Sequence, residues 1–239
     1  MTSGLGGTPF PGSGRAPAPR EVYIPPLGLP GLLSVPDAPQ SIVIFAHGSG
    51  SSRLSPRNNA VARALNAEGI ATLLFDLLTP AEEADRANVF DSPLLAGRLI
   101  DAIQWVEHKS AVGHLPIGLF GASTGAAAAL VAASKLPEAV GAVVSRGGRP
   151  DLAGDALPKI HAPSLMIVGG ADTGVIELNE QALQQMRCPC ALEIVPGATH
   201  LFPEPGALEA VIVHATRWFK EHLAIHRHGH RGKRDHDIS

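Results

Sequence analysis

Short, unbroken apolar runs alternate along the chain with apolar stripes at helical spacing. The segments "SIVIFAHG", "IATLLFDL", "AVGAVVS" and "SLMIVGG" are apolar over strand length, as strands covered on both faces of a parallel sheet must be. Residues 117–120 and "ALEIV" add two more such runs. Between the runs, Val61, Ala64, Leu65 and Glu68 fall at helical spacing, and Gly69 follows as a stop. Leu95, Leu99, Ala102, Ile103 and Val106 make one helical stripe after a polar loop. Helices are also expected over residues 124–135 and 175–186, and Leu208, Val211, Ile212, Ala215 and Phe219 mark a closing one. Near the start, "EVYIP" and "LGLPGLLSVP" predict two short antiparallel strands, with prolines that suit a sheet edge. The rhythm of strand and helix predicts the α/β class: a doubly wound, mostly parallel sheet with helices on both faces.

No repeat or linker interrupts this rhythm, so one domain is expected over residues 21–224. Residues 1–20 are rich in Gly, Pro and Ser and read as a flexible segment. Residues 225–239 read as a flexible, His-rich tail, solvated in preference to metal-binding. About twenty residues separate the strand ending near Val144 from the one starting near Ser164, too few for a cap domain. An open, shallow site is therefore expected.

Composition narrows the class. The chain has 239 residues, 45% of them hydrophobic and 17% charged, enough to bury a full core. A formal net charge of −3 gives no reason to expect a nucleic-acid partner. No apolar run reaches the length of a membrane span, and the N-terminus carries no apolar signal region. The two cysteines, Cys188 and Cys190, make no disulfide framework, so a cytoplasmic setting is expected. Their C-x-C spacing lacks the further ligands a zinc site needs, and no metal is expected.

In sheets of this kind ligands bind beyond the carboxyl ends of the strands. Four reactive segments fall there. They are "AHGSGSSR", Ser123 in Gly-Ala-Ser-Thr-Gly, Asp172 after "SLMIVGG", and His200 in "PGATHLF". By itself, Gly-Ala-Ser-Thr-Gly fits either a tight turn with an incidental serine or a nucleophile elbow. The chain order Ser, Asp, His favours the elbow. A serine hydroxyl needs a base to become a nucleophile, and an imidazole titrating at ~6.5 provides one near neutral pH. A carboxylate fixes the imidazole tautomer and balances its charge. Ser123, His200 and Asp172 fit these three roles, with Asp151 as the rival acid. The oxyanion calls for backbone donors, and the N–H groups of Thr124 and Ser49 are the candidates. His47 reads as scaffold of the oxyanion loop, Asp76 as a structural hydrogen-bonding residue, and His108, His114 and His161 as solvated.

Arg53, Arg57, Arg146 and Arg149 also fall in loops at this end of the sheet. Salt bridges to nearby carboxylates are one reading. The other is recognition of an anionic substrate, for which Arg53, Arg57 and Arg146 are the candidates, because guanidinium forks match carboxylates.

With these motifs the chain resembles the α/β-hydrolase family, in its dienelactone hydrolase-like branch. The matching residues are His47-Gly48-Ser49-Gly50, Gly121-Ala122-Ser123-Thr124-Gly125, Gly169-Gly170-Ala171-Asp172 and Gly197-Ala198-Thr199-His200, and the likeness spans roughly residues 22–223. Dienelactone hydrolases themselves use a cysteine nucleophile, a point at which Ser123 departs from the resemblance. Relatives of this kind also occur fused to phosphoribosyltransferase domains, and none is read in this chain. The resemblance implies an α/β-hydrolase fold without a cap. It also implies a serine hydrolase that cleaves carboxylic esters through an acyl-enzyme, with no metal and no organic cofactor. The expected partner is a small-molecule ester, not nucleic acid or membrane. Acyl transfer, lactone hydrolysis, or ligand binding by a nearly silent triad fit the same residues. Substrate identity and oligomeric state are not written in these motifs.

Overall fold

The computed structural model describes residues 17–229, and in it the apolar runs fold into a single eight-stranded sheet. The strands are β1 (Arg20–Ile24), β2 (Leu29–Ser34), β3 (Ser41–Ala46), β4 (Ile70–Phe75), β5 (Ile117–Ala122), β6 (Val140–Arg146), β7 (Ser164–Gly169) and β8 (Cys190–Val195). Their spatial order is β1-β2-β4-β3-β5-β6-β7-β8. The pairs β1–β2 and β2–β4 are antiparallel, and every pair from β4 to β8 is parallel. After β3 the chain adds β4 on one side and then crosses to place β5 on the other. The crevice at such a switch point is where an open α/β sheet receives a ligand, and the loops after β3 and β5 meet there.

Helices α1 (Pro56–Ala67) and α7 (Ala207–Gly229) cover one face; α4 (Ser92–Glu107), α5 (Thr124–Lys135) and α6 (Thr173–Leu183) cover the other. The polar stretch between β4 and α4 was expected to be a loop, and it holds two short helices, α2 (Pro80–Glu83) and α3 (Arg86–Phe90). Elements of four and five residues are too short to display a period. Their starts are nevertheless coded. The Thr79 hydroxyl accepts the Glu82 N–H while the Glu82 carboxylate accepts the Thr79 N–H, a reciprocal capping box. That hydrogen bonding is the main reason the Glu82 carboxyl titrates below its ordinary value.

The alanine-rich α5 has every residue from Thr124 to Ala133 buried, so short side chains let α4 approach closely. On the opposite face Gly118 makes room for Phe219: a Cβ there would lie 2.8 Å from the Phe219 ring. Burying one such aromatic side chain contributes about 2–3 kcal/mol. Between β6 and β7 the chain makes only a 3-10 helical stretch, Pro150–Lys159, and no cap domain.

The ends differ slightly from expectation. Arg20 already belongs to β1, and α7 continues past Ala224 to Gly229. The rest of the two segments expected to be flexible, residues 1–16 and 230–239, lies outside the described residues. Among the described residues no helix is long and apolar enough to cross a membrane.

Candidate active site

Ser123 joins β5 to α5 with φ 51° and ψ −120°, a left-handed backbone that non-glycine residues rarely adopt. Such a residue stores about 1–3 kcal/mol of strain and persists only where its surroundings enforce it. The flanking glycines show how. A Cβ on Gly121 would lie 2.4 Å from the Ala126 Cα, and one on Gly125 would lie 2.3 Å from the Ala46 carbonyl oxygen. The turn is thus pressed against its own helix and against the end of β3. Hydrogen bonds complete the clamp. The Ser123 N–H donates to the Arg146 carbonyl at 3.2 Å, and the Ser123 carbonyl accepts the N–H groups of Ala126 (3.1 Å) and Arg149 (3.2 Å).

The His200 ring stands between serine and carboxylate. Its Nε2 is 3.3 Å from Ser123 Oγ, and its Nδ1 is 2.7 Å from Asp172 Oδ2. Asp172 occupies the N-cap position of α6 but makes no side-chain cap bond, so its carboxylate is turned to the histidine instead. Asp151, the rival acid, is held by both arms of Arg149 at 2.8 and 2.7 Å. Gly147, with φ 53°, lies under the imidazole: a Cβ there would be 3.0 Å from the His200 carbonyl oxygen and 3.5 Å from the ring. The histidine's turn is braced by the Thr199 hydroxyl, which donates to the Glu204 carboxylate at 2.6 Å and lowers that carboxyl's pKa.

The 48–52 loop lies against this turn. A Cβ on Gly48 would sit 3.0 Å from the Ser123 Cβ, a tighter contact than most side chains make, so glycine eases the approach. His47 anchors the loop from behind. Its Nε2 accepts the Leu77 N–H at 3.1 Å, which leaves Nδ1 as the protonated nitrogen donating to the Gly48 carbonyl at 2.9 Å. This is the scaffold role expected of His47. Thr124, at the first position of α5, offers one of the N–H groups that a helix start leaves without an intrahelical partner. Ser49 lies beside it, but its N–H already donates to the Thr124 hydroxyl at 3.1 Å. The two expected oxyanion donors are neighbours, and one of them is engaged.

Two cavities flank the 48–52 loop. One, of about 600 Å³, is lined by Ser123, His200, Arg57 and Arg146. The other, of about 220 Å³, is walled by Leu77, Leu78, Val89 and Leu95 and reaches Arg53 and Asp76. Arg53 was expected to share a mouth with Arg57 and Arg146, and the structure separates it from them. Asp76, at the end of β4, accepts both the Arg53 backbone N–H at 2.7 Å and its guanidinium at 2.5 Å. Arg57 and Arg146 have no carboxylate partner among the described residues. Arg146 is 7% exposed, and its Nε and Nη1, like Nε of Arg57, meet no hydrogen-bond acceptor among the described residues. Burial first, and then the charge of Arg57, pull the Arg146 pKa down to about 10.

One further residue escaped the sequence reading. Asn179 is fully buried on α6, and its amide donates to the carbonyls of Val175 at 2.7 Å and Gly148 at 3.1 Å. It thereby ties the helix after Asp172 to the loop beneath His200. A lone Asn inside a helical segment was its only signal. Among the described residues no group of three or more His, Cys, Asp or Glu side chains is arranged to hold a metal ion.

Comparison with known proteins gives this geometry a context. A model described as the dienelactone hydrolase family matches residues 29–223. A Mycobacterium tuberculosis protein, provisionally named a phosphoribosyl transferase, is 58% identical over 203 residues, which cover 85% of this chain and 46% of the relative. The chain thus spans about half the length of the curated relatives it matches. The crystal structure of dienelactone hydrolase from Anabaena variabilis superposes with a TM-score of 0.82 at 52% identity, covering 86% of this chain and 99% of that one. Est1E from Butyrivibrio proteoclasticus shares the fold at a TM-score of 0.73 and 18% identity, covering 87% of this chain and 99% of its own.

Proposed function

The chain belongs to the dienelactone hydrolase family, and we propose that within it the protein is a serine hydrolase that cleaves small carboxylic esters. One observation carries the reading. A histidine bridges a strained serine and a carboxylate, at 3.3 Å on one nitrogen and 2.7 Å on the other.

His200 Nε2 takes the proton of Ser123 as Oγ attacks the ester carbonyl. Asp172 keeps the remaining proton on Nδ1 and balances the imidazolium charge. The oxyanion of the tetrahedral intermediate is received by the Thr124 N–H, where the positive end of α5 also favours negative charge. The Ser49 N–H contributes by sharing its hydrogen between the Thr124 hydroxyl and the oxyanion. Collapse returns the proton from His200 to the leaving alcohol and leaves an acyl group on Ser123. Water, activated by the same imidazole, releases the acid.

The short β6–β7 connection supports an open site and hence small esters. The wall formed by Arg57 and Arg146 favours a substrate with a negative charge, and Arg53, neutralised by Asp76, is not assigned to it. The phosphoribosyl transfer named for the mycobacterial relatives is not part of this proposal.

Ser123→Ala tests the reading. With p-nitrophenyl acetate as substrate, kcat should fall roughly 10⁴–10⁶-fold while the melting temperature stays near wild type. Retention of a tenth of the wild-type rate by the purified variant would refute the assignment.

A further inference from the structure

Acids are not scarce around the mouth of the sheet, yet they are distributed unevenly. Asp76 is bound to Arg53, and Asp151 to Arg149. Arg57 and Arg146 line the cavity that holds Ser123, and among the described residues neither is paired with a carboxylate. Arg146 is almost wholly buried at the end of β6, the strand next to the nucleophile strand. Solvent therefore does little to disperse its charge. Burial disfavours the charged form of Arg146, and the positive charge of Arg57 adds to the penalty. An arrangement of this kind is relieved by a ligand that brings negative charge.

The same wall carries a helix start. Leu54, Ser55, Pro56 and Arg57 line the cavity, and Pro56 opens the twelve-residue α1. The Ser55 side chain caps that helix by accepting the Asn58 N–H at 3.3 Å, which leaves its hydroxyl hydrogen free to donate. The helix dipole adds partial positive charge at this point.

We propose that this wall, beside the nucleophile, is a binding site for a dianionic phosphate group carried on the uncleaved part of the ester substrate. A carboxylate brings one charge and two oxygens in a plane. It would leave one of the two guanidinium charges uncompensated. A phosphate monoester brings about −1.5 to −2 at neutral pH and three acceptor oxygens in three directions. These match two guanidinium groups from different elements, a helix start and a serine hydroxyl. Ser123 attacks the ester carbonyl, and every P–O bond stays intact. The substrate assignment rests on the reading of Ser123 as nucleophile; the anion site does not need it.

Methyl phosphate, with acetate as control, is the probe. Binding is measured by calorimetry at pH 7.5 and constant ionic strength, on wild type and on Ser123→Ala, Arg57→Gln and Arg146→Met. Competition against p-nitrophenyl acetate hydrolysis is measured on wild type. Methyl phosphate should bind at least about tenfold more tightly than acetate, compete with the ester, and lose about tenfold in each arginine variant, the loss of one charge-assisted contact. Ser123→Ala should bind it as wild type does. Equal or tighter binding of acetate overturns the proposal, as does phosphate binding that is indifferent to Arg57→Gln. Arg57→Gln, at a half-buried position, guards against misfolding of the Arg146 variant. If Ser123→Ala kept its activity while phosphate binding remained arginine-dependent, the esterase reading alone would fall.

Discussion

The two sides of the 48–52 loop treat charge in opposite ways. On the side lined by Leu77, Leu78 and Val89, Arg53 and Asp76 neutralise one another at the cavity wall. On the side that contains Ser123, Arg57 and Arg146 have no acid among the described residues, and Asp172 is turned to His200. Both sides are built from residues just beyond strand ends. The difference lies in whether a carboxylate reaches the guanidinium. A paired charge holds a loop in place, whereas an unpaired, desolvated one is available to a ligand at some cost in stability.

The largest effect that could break this contrast concerns the acids. Asp172→Asn should lower kcat on the order of 10⁴-fold, because the amide favours the wrong imidazole tautomer. Asp151→Asn should leave kcat within about twofold, because Asp151 serves Arg149 at a partly exposed pair. Steady-state rates with p-nitrophenyl acetate decide between them, and a greater loss at Asp151 would move the acid there.

Next come the arginines, judged by stability. In the fold the Arg146 pKa lies at about 10, below the ordinary arginine value, so folding disfavours its charged form. The penalty is present in full below pH 10 and disappears as the pH rises from there toward the ordinary arginine pKa. Arg146→Met should therefore raise the unfolding free energy of the ligand-free protein by about 2–3 kcal/mol at pH 7. The gain over wild type should shrink above pH 10. Asp76→Asn should act in the opposite direction and destabilise by about 1 kcal/mol, a value reduced because water still reaches both partners of the Arg53 pair. Urea denaturation of both variants across pH measures the contrast. If Arg146→Met proved as destabilising as Asp76→Asn, Arg146 would be a structural residue and not a reserve of charge.

The smallest effect sharpens the role of the loop itself. The Thr124 hydroxyl holds the Ser49 N–H at 3.1 Å. Thr124→Val keeps the shape and the backbone donor but releases Ser49, so kcat should fall about tenfold with KM little changed. Thr124→Ser should restore it. A loss confined to KM would mean that the hydroxyl meets the ground-state substrate and not the oxyanion loop.

Much of this site was legible before any fold was known. Apolar runs and helical stripes are local signals, and each of the strands and longer helices they predicted is present. Gly121 and Gly125 announced the turn because no side chain fits at either position. The short helices α2 and α3 and the 3-10 stretch left no periodic trace, and their positions became clear only in the structure. Chain order fits Asp151 as well as Asp172, since both lie between Ser123 and His200; the place of Asp172 just after "SLMIVGG" favoured it, but the sequence left both in reach of the histidine.

What the sequence determined by itself, then, was the set of strands, the strained serine turn and the order of Ser123, Asp172 and His200 along the chain. Hydrophobic periodicity is a local signal, and Gly121 and Gly125 mark the turn in the sequence, although the end of β3 and the Arg146 and Arg149 backbone help to clamp it. Charge pairing was decided by the tertiary structure alone. Four arginines looked equivalent as loop residues. Arg149 finds its acid two residues away, and Arg53 finds one 23 residues away, at the end of the neighbouring strand β4. Arg57 and Arg146 find none among the described residues. The strength of an ion pair depends on separation and desolvation in space, and neither is written in the spacing of residues along a chain.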